Sequence, residues 1–185
     1  ALRSRRGVGR HPTLFATGEP DAQVPGQGPK ARHLATLVHA GLPVPDGWVL
    51  PVDGDRWRRG TLRSLHRTLL SSGYGRFIVR SCFAEEDGHD RSFAGLYESH
   101  PWDADEGRGS LEAAIDAVLA SRSSARATAY RDGDAPTGPT AVLIQRRIAD
   151  SAHGFAASAD VATGFRERRL VDITEGEMPW SGYLD

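Results

Sequence analysis

Residues 76–87 read Arg-Phe-Ile-Val-Arg-Ser-Cys-Phe-Ala-Glu-Glu-Asp, and the change of character along them decides how the chain is built. Phe77-Ile78-Val79, behind Gly75, predicts a buried strand over residues 76–81. The acids that follow predict a polar loop over residues 85–91. Arg80 therefore stands where a buried strand opens into a loop, a position from which a guanidinium can be aimed at a phosphate or a carboxylate. An internal ion pair between Arg80 and Glu86 or Asp87 is the competing reading. Next comes Ser92-Phe93-Ala94-Gly95, a small-residue stretch that reads either as a loop closing over a nucleotide or as a turn into a strand.

On the N-terminal side, residues 29–40 predict a helix, with Pro29 at its first position, Leu34, Leu37 and Val38 as its apolar stripe, and Gly41 as its stop. Pro43, Pro45 and Gly47 force a turn into a short strand over residues 48–50. Residues 53–71 predict a second helix, with Leu62, Leu65 and Leu69 on one face. Arg56, Arg59, Arg63 and Arg67 lie on another face, read as a solvated surface. Residues 1–27 carry Arg3, Arg5, Arg6 and Arg10 with no acid before Glu19 and no helical or strand period, which predicts a basic, flexible arm ahead of a lobe spanning 28–185. On the C-terminal side, residues 110–120 predict a helix, with Ser110 as N-cap and Leu111, Ala114, Ile115, Val118 and Leu119 on one face. A further helical piece over 125–130, a loop over 132–139 and strands over 140–144, 154–159 and 167–173 complete the pattern. Helices and strands mix without strict βαβα alternation, so the fold class is α+β.

The 185 residues carry 23 basic and 24 acidic side chains, a formal net charge of −1, which argues against a nucleic-acid protein working through a global basic field. No apolar run approaches the roughly 20 residues of a membrane span. One cysteine, Cys82, excludes an internal disulfide framework and a cysteine-rich zinc site, and fits a reducing, cytoplasmic setting. The histidines include no pair at i, i+4 with an acid between them, so no zinc-helix motif is present. Cys82 reads as a small buried hydrophobe rather than as a thiol activated by its neighbour Arg80.

Of the 23 basic residues only Lys30 is a lysine. It stands in the first turn of a helix, directly after Gly26-Gln27-Gly28 and Pro29. Free N–H groups, the positive end of the helix dipole and a flexible ammonium suit a phosphate there, and glycines let the backbone approach it. The spacing is not that of a Walker loop.

Five stretches, in order, carry a resemblance: "GPKARHLATLVHAGLPVPDGWVL", "VRSCFAEED", "SFAGLYES", "VLIQRRI" and "GFAASADVATG". Together they resemble the N-terminal nucleotide-binding domain of the pyruvate phosphate dikinase and phosphoenolpyruvate synthase family, which includes rifampin phosphotransferases. That family typically shows Gly-Gly-Lys-Gly, "AGLPVPPGF", "VRSSATAED", "SFAGQYET", a Val-x-x-Gln strand and "GVMFTADPxTG". The resemblance covers residues 28–164 and implies an ATP-grasp-like lobe with a mixed or antiparallel sheet flanked by helices. It implies that Lys30 contacts ATP phosphates and that Arg80 is the catalytic arginine reaching the transferring phosphoryl group. It places Ser92, Ala94 and Gly95 in the loop over the phosphates, Gln145 near the nucleotide, and Ser158 where the family has a threonine.

The chain also departs from that pattern. Pro29 and Ala31 replace the glycines around the lysine, Cys82 and Phe83 replace Ser and Ala, Ala84 replaces a hydroxyl residue, and Ala157 replaces a phenylalanine. The family's second lobe, with its magnesium ligands, and its phosphohistidine domain have no counterpart after Gly164. The resemblance therefore implies ATP with Mg2+, the metal being held by residues outside this chain, and a partner lobe or subunit carrying the metal ligands and acceptor site. The function implied is phosphoryl transfer from ATP to a histidine or a small molecule. A non-catalytic nucleotide- or partner-binding protein derived from the lobe is the alternative. A third reading, a self-sufficient small kinase, takes its metal ligands from Glu85, Glu86 and Asp87 or from a second copy of the chain.

Overall fold

The computed structural model describes residues 13–14, 28–52, 59–87, 95–136, 138, 140–149, 152–157 and 170–176. They contain β1 (Thr13–Leu14), α1 (Pro29–His39), β2 (Gly47–Val52), α2 (Arg59–Ser71), β3 (Arg76–Phe83) and a 3-10 turn (Ala84–Asp87). Next come β4 (Ser99–Asp103), a second 3-10 turn (Ala104–Glu106), α3 (Gly107–Ser121), α4 (Ala125–Tyr130), β5 (Thr140–Arg146), β6 (Ala152–Ala157) and β7 (Leu170–Glu175). Contacts divide the chain into two units, residues 1–147 and 148–185. The smaller unit contains the antiparallel ribbon β6–β7, with Val171 and Ile173 exposed.

The larger unit is an antiparallel sheet of order β1-β2-β5-β3-β4. Phe77-Ile78-Val79 lies near its middle, and the strand runs on to Phe83 because Cys82 and Phe83 pair with Ala141 and Thr140. Both sheet faces are covered, which is why this strand reads as an unbroken apolar run rather than an alternating one. One face carries Trp48, Leu50, Phe77, Val79, Phe83, Trp102, Val142 and Ile144, which pack with Leu62, Leu65 and Leu69 of α2 and Leu111, Ile115 and Val118 of α3. Each such side chain contributes roughly 1.5–3 kcal/mol by leaving water. The other face is covered by α1 over a smaller cluster of Ala31, Val49, Cys82, Ala141 and Leu143. The fold class is α+β, as expected.

Three local expectations are revised. Ser110 is not the N-cap of α3: the helix starts at Gly107, whose carbonyl accepts the Trp102 indole N–H at 3.1 Å, and Ser110 donates instead to Glu106. Strand β4 was not foreseen. Its Ser-His-Pro-Trp-Asp sequence has no β-branched residue, and Pro101 is tolerated because β4 is a sheet edge. Within the segment expected to be a flexible arm, Thr13 and Leu14 pair with Val49 and Trp48, a strand too short to carry a period. The remainder of residues 1–27 lies outside the described residues. On α2, Arg63 and Arg67 are exposed as expected, while Arg56 and the Arg59 side chain are also outside them.

Candidate functional site

The approach of α1 to β3 sets the geometry. A Cβ on Gly28 would lie 2.0 Å from the Cys82 carbonyl oxygen and 2.7 Å from its Sγ, so only glycine lets the chain enter α1 along this seam. Ala31 N–H then donates to Cys82 Sγ at 3.3 Å. Burial pushes the Cys82 thiol up to about 11, so it is the small buried hydrophobe expected and not an activated thiol.

This contact brings Lys30 to the end of β3. Strand β4 pairs with β3 only as far as Ser99 opposite Arg80. Just beyond that point Lys30 Nζ donates to the Ser81 carbonyl at 3.3 Å and to Ser81 Oγ at 3.2 Å. Its third partner is Glu86 Oε2, in an ion pair. Glu86 is buried and is held from the other side, where Phe83 N–H donates to its Oε1 at 2.8 Å. The Lys30 side chain keeps 33% of its surface exposed.

Arg80, the residue before Ser81, is half-buried. Its Nη1 donates to Gln145 Oε1 at 3.5 Å, a long bond, and Gln145 Nε2 donates to the Pro45 carbonyl at 3.3 Å. The amide of Gln145 is thus oriented with its oxygen toward Arg80. An Arg80–Glu86 ion pair does not form, because Glu86 is taken by Lys30. The structure therefore brings Lys30, Arg80 and Gln145 together where the pairing of β3 with β4 stops. Arg80 itself is in mid-strand and not, as expected, at the opening into a loop, because β3 stays paired with β5 as far as Phe83. Gly95 sits in the turn ahead of β4 at φ +69°, a conformation that favours glycine. Ser92, Ala94 and Ser158 lie outside the described residues.

The acidic loop does not make a metal centre with what is described. Glu85 forms a two-point pair with the buried Arg122, from Nε to Oε1 and from Nη2 to Oε2, both at 2.8 Å, and Tyr97 donates to the same carboxylate. With Glu86 held by Lys30, both carboxylates are committed to cations. Among the described residues no group of three His, Cys, Asp or Glu side chains could hold a metal ion. The residues present do not fit Mg2+ here, and the reading that draws metal ligands from Glu85 and Glu86 is not supported. The Asp87 side chain is outside the described residues.

Two functional contacts escaped sequence reasoning: Glu86 as the partner of Lys30, and Glu85 as the partner of Arg122. The available signal for the first was that Glu86 follows Phe83 by three residues, the spacing at which a carboxylate can return to a backbone N–H.

A profile of the AMP/ATP-binding domain of pyruvate phosphate dikinase matches residues 60–177, nearly two thirds of the chain. The chain belongs to that family. The match takes in Arg80, residues 92–95, Gln145 and Ser158, and begins after α1, so Lys30 precedes it. A search of curated proteins returned no match. Among the described residues no helix is long and apolar enough to cross a membrane.

Proposed function

We propose that this chain is the ATP-binding lobe or subunit of a dikinase-like phosphotransferase of ATP-grasp type. In that reading it acts in the cytoplasm with a partner lobe that brings the metal ligands and the acceptor site, a histidine or a small molecule. The observation that carries the reading is the convergence of the only lysine and Arg80 on one stretch of β3, where its β4 partner ends: Lys30 Nζ rests on Ser81, the residue next to Arg80. Phosphoryl transfer depends mainly on positioned positive charge and metal, and two cations beside the point where β3 loses its β4 partner supply the first of these. Lys30 meets the phosphates, Arg80 stabilises the group in transfer, and Gln145 steadies Arg80 through their hydrogen bond. Ser92, Ala94 and Gly95 close over the phosphates, Ser158 offers a hydroxyl, and Mg2+ enters with ATP on the partner's ligands.

Calorimetric titration with ATP, with and without magnesium, tests this. Lys30→Ala and Arg80→Ala should each weaken binding about tenfold or more while the far-ultraviolet circular dichroism stays native. Unchanged affinity in both would sink the assignment. The internal engagement of Lys30 with Glu86 favours a second reading, a lobe kept for nucleotide or partner binding without catalysis. Lys30-dependent ATP binding with no turnover alongside any added second lobe would support it.

A further inference from the structure

We propose that Glu86 is a positioning residue: its buried carboxylate fixes where the Lys30 ammonium points before a nucleotide arrives. The proposal rests on the reading of Lys30 as a phosphate contact and adds a residue to that site. A lysine ammonium has three N–H donors, and all three acceptors found here belong to the chain itself: Ser81 O, Ser81 Oγ and Glu86 Oε2. An incoming phosphate must displace some of them. The two Ser81 bonds are long, at 3.2 and 3.3 Å, and are made to neutral oxygens. All three come from the charged ammonium, but only the Glu86 contact joins it to an opposite charge, on a buried carboxylate, which makes it the strongest of the three.

Glu86 also cannot follow the ammonium outward, because the Phe83 N–H holds its other oxygen at 2.8 Å and the residue is 8% exposed. The Ser81 bonds are therefore the ones that yield. Lys30 then turns about a fixed carboxylate and presents the freed donors through its exposed third. Without Glu86 a four-carbon side chain would spread over many rotamers, and ordering it would fall to the ligand. A carboxylate this close also repels phosphate, so the sign of its effect on affinity separates a guide from a competitor.

The sequence supplies the probe. Lys30 is the only lysine, so a chain grown with ε-15N-lysine gives a single lysine ammonium signal. Glu86→Gln keeps an oxygen for Phe83 N–H and removes the charge. This variant should move the signal to the position of free lysine and weaken binding of MgATP about five- to tenfold. The double variant should bind MgATP no more weakly than Lys30→Ala alone, a non-additivity that a purely structural role would not produce. Four results overturn the proposal. A signal unmoved by Glu86→Gln denies the ion pair. Full loss on adding Lys30→Ala to Glu86→Gln makes the two residues independent. Equal or tighter MgATP binding in Glu86→Gln, with Lys30→Ala still weakened, leaves Lys30 in place and makes Glu86 a bystander or a competitor. MgATP binding that is absent, or indifferent to Lys30→Ala, removes the nucleotide reading and the role of Glu86 with it.

Discussion

The two faces of the five-stranded sheet are built from the same strands and do different work. Residues 77, 79 and 83 of β3 put Phe, Val and Phe against α2 and α3, where Trp48, Phe77 and Trp102 pack with ring centroids 5.9 and 5.3 Å apart. Residues 78, 80 and 82 put Ile, Arg and Cys on the face that α1 crosses. There the register sets Val49, Leu143, Arg80 and Ser99 in one row and Gly47, Gln145, Ile78 and Pro101 in the next. Large apolar side chains fill the first face, while the second spends its positions on small residues and on the polar groups proposed to meet a nucleotide. The proposed nucleotide contacts sit on the face with the smaller core. Period-two alternation in β3 is what allows both, because the same strand can be rigid on one side and functional on the other.

The largest effect should come from the thick face. Phe77 is fully buried between Trp48 and Trp102, and Phe77→Ala should cost about 4 kcal/mol in denaturant unfolding. The same change should leave the ATP affinity of the folded fraction alone, the reverse of Arg80→Ala three positions along the strand. A loss below about 1 kcal/mol would mean that this face is not the core that its area suggests. A smaller effect, about 3 kcal/mol, is expected for Arg122→Met, which leaves the buried Glu85 carboxylate without its cation. Glu85→Leu added to Arg122→Met should recover much of that loss, since the pair's desolvation cost disappears with it. Failure to recover would show that Arg122 acts chiefly through its other contacts, which include the Thr140 hydroxyl, the Gly138 carbonyl and the Phe83 ring, over which it lies at 5.2 Å.

Legibility follows the same division. The thick face was readable because its helices have periods and its strand is strongly apolar: Leu62, Leu65 and Leu69 on α2, Leu111, Ala114, Ile115 and Val118 on α3, and Phe77 and Val79 on β3 all lie buried. Lys30 stood out by composition and by its place in the first turn of α1; Arg80 stood out by an expected strand end, although β3 runs three residues past it. Their partners did not. Gln145 meets Arg80 across 65 residues of sequence, a contact set by the register of β5 on β3. Glu86 meets Lys30 because a 3-10 turn folds Glu85 and Glu86 back against the sheet. Although the three-residue spacing from Phe83 to Glu86 is legible, nothing in the sequence says that Glu86 takes Lys30 and Glu85 takes Arg122. Strand β4 was hidden for a third reason: Pro101 and the lack of β-branched residues speak against a strand, and only its place at an edge makes it permissible.

The smallest effect probes the α1 face through Cys82, on which Gly28 and Ala31 pack. Burial raises the thiol from its ordinary 9.0 to about 11, with the Glu86 charge adding in the same direction and Lys30 and the Ala31 N–H opposing. Below pH 9 the thiol is protonated whether the chain is folded or not, and its titration leaves stability unchanged. Between pH 9 and 11 the unfolded chain loses that proton and the folded chain keeps it, so stability falls as pH rises, by about 2 kcal/mol across the window. Above 11 both forms are thiolate and this contribution levels off. Other groups bend the curve over the same range, among them Tyr97, whose hydroxyl is pushed by burial from 10.0 up to about 12, so the measurement is a difference: unfolding free energy against pH for the wild type and for Cys82→Ala. The variant should be less stable at pH 7 for lack of the sulfur and should lose less on going to pH 11. Parallel curves would mean that the thiol is open to water in solution, and that α1 does not close on β3 tightly enough to hold Lys30 at Ser81.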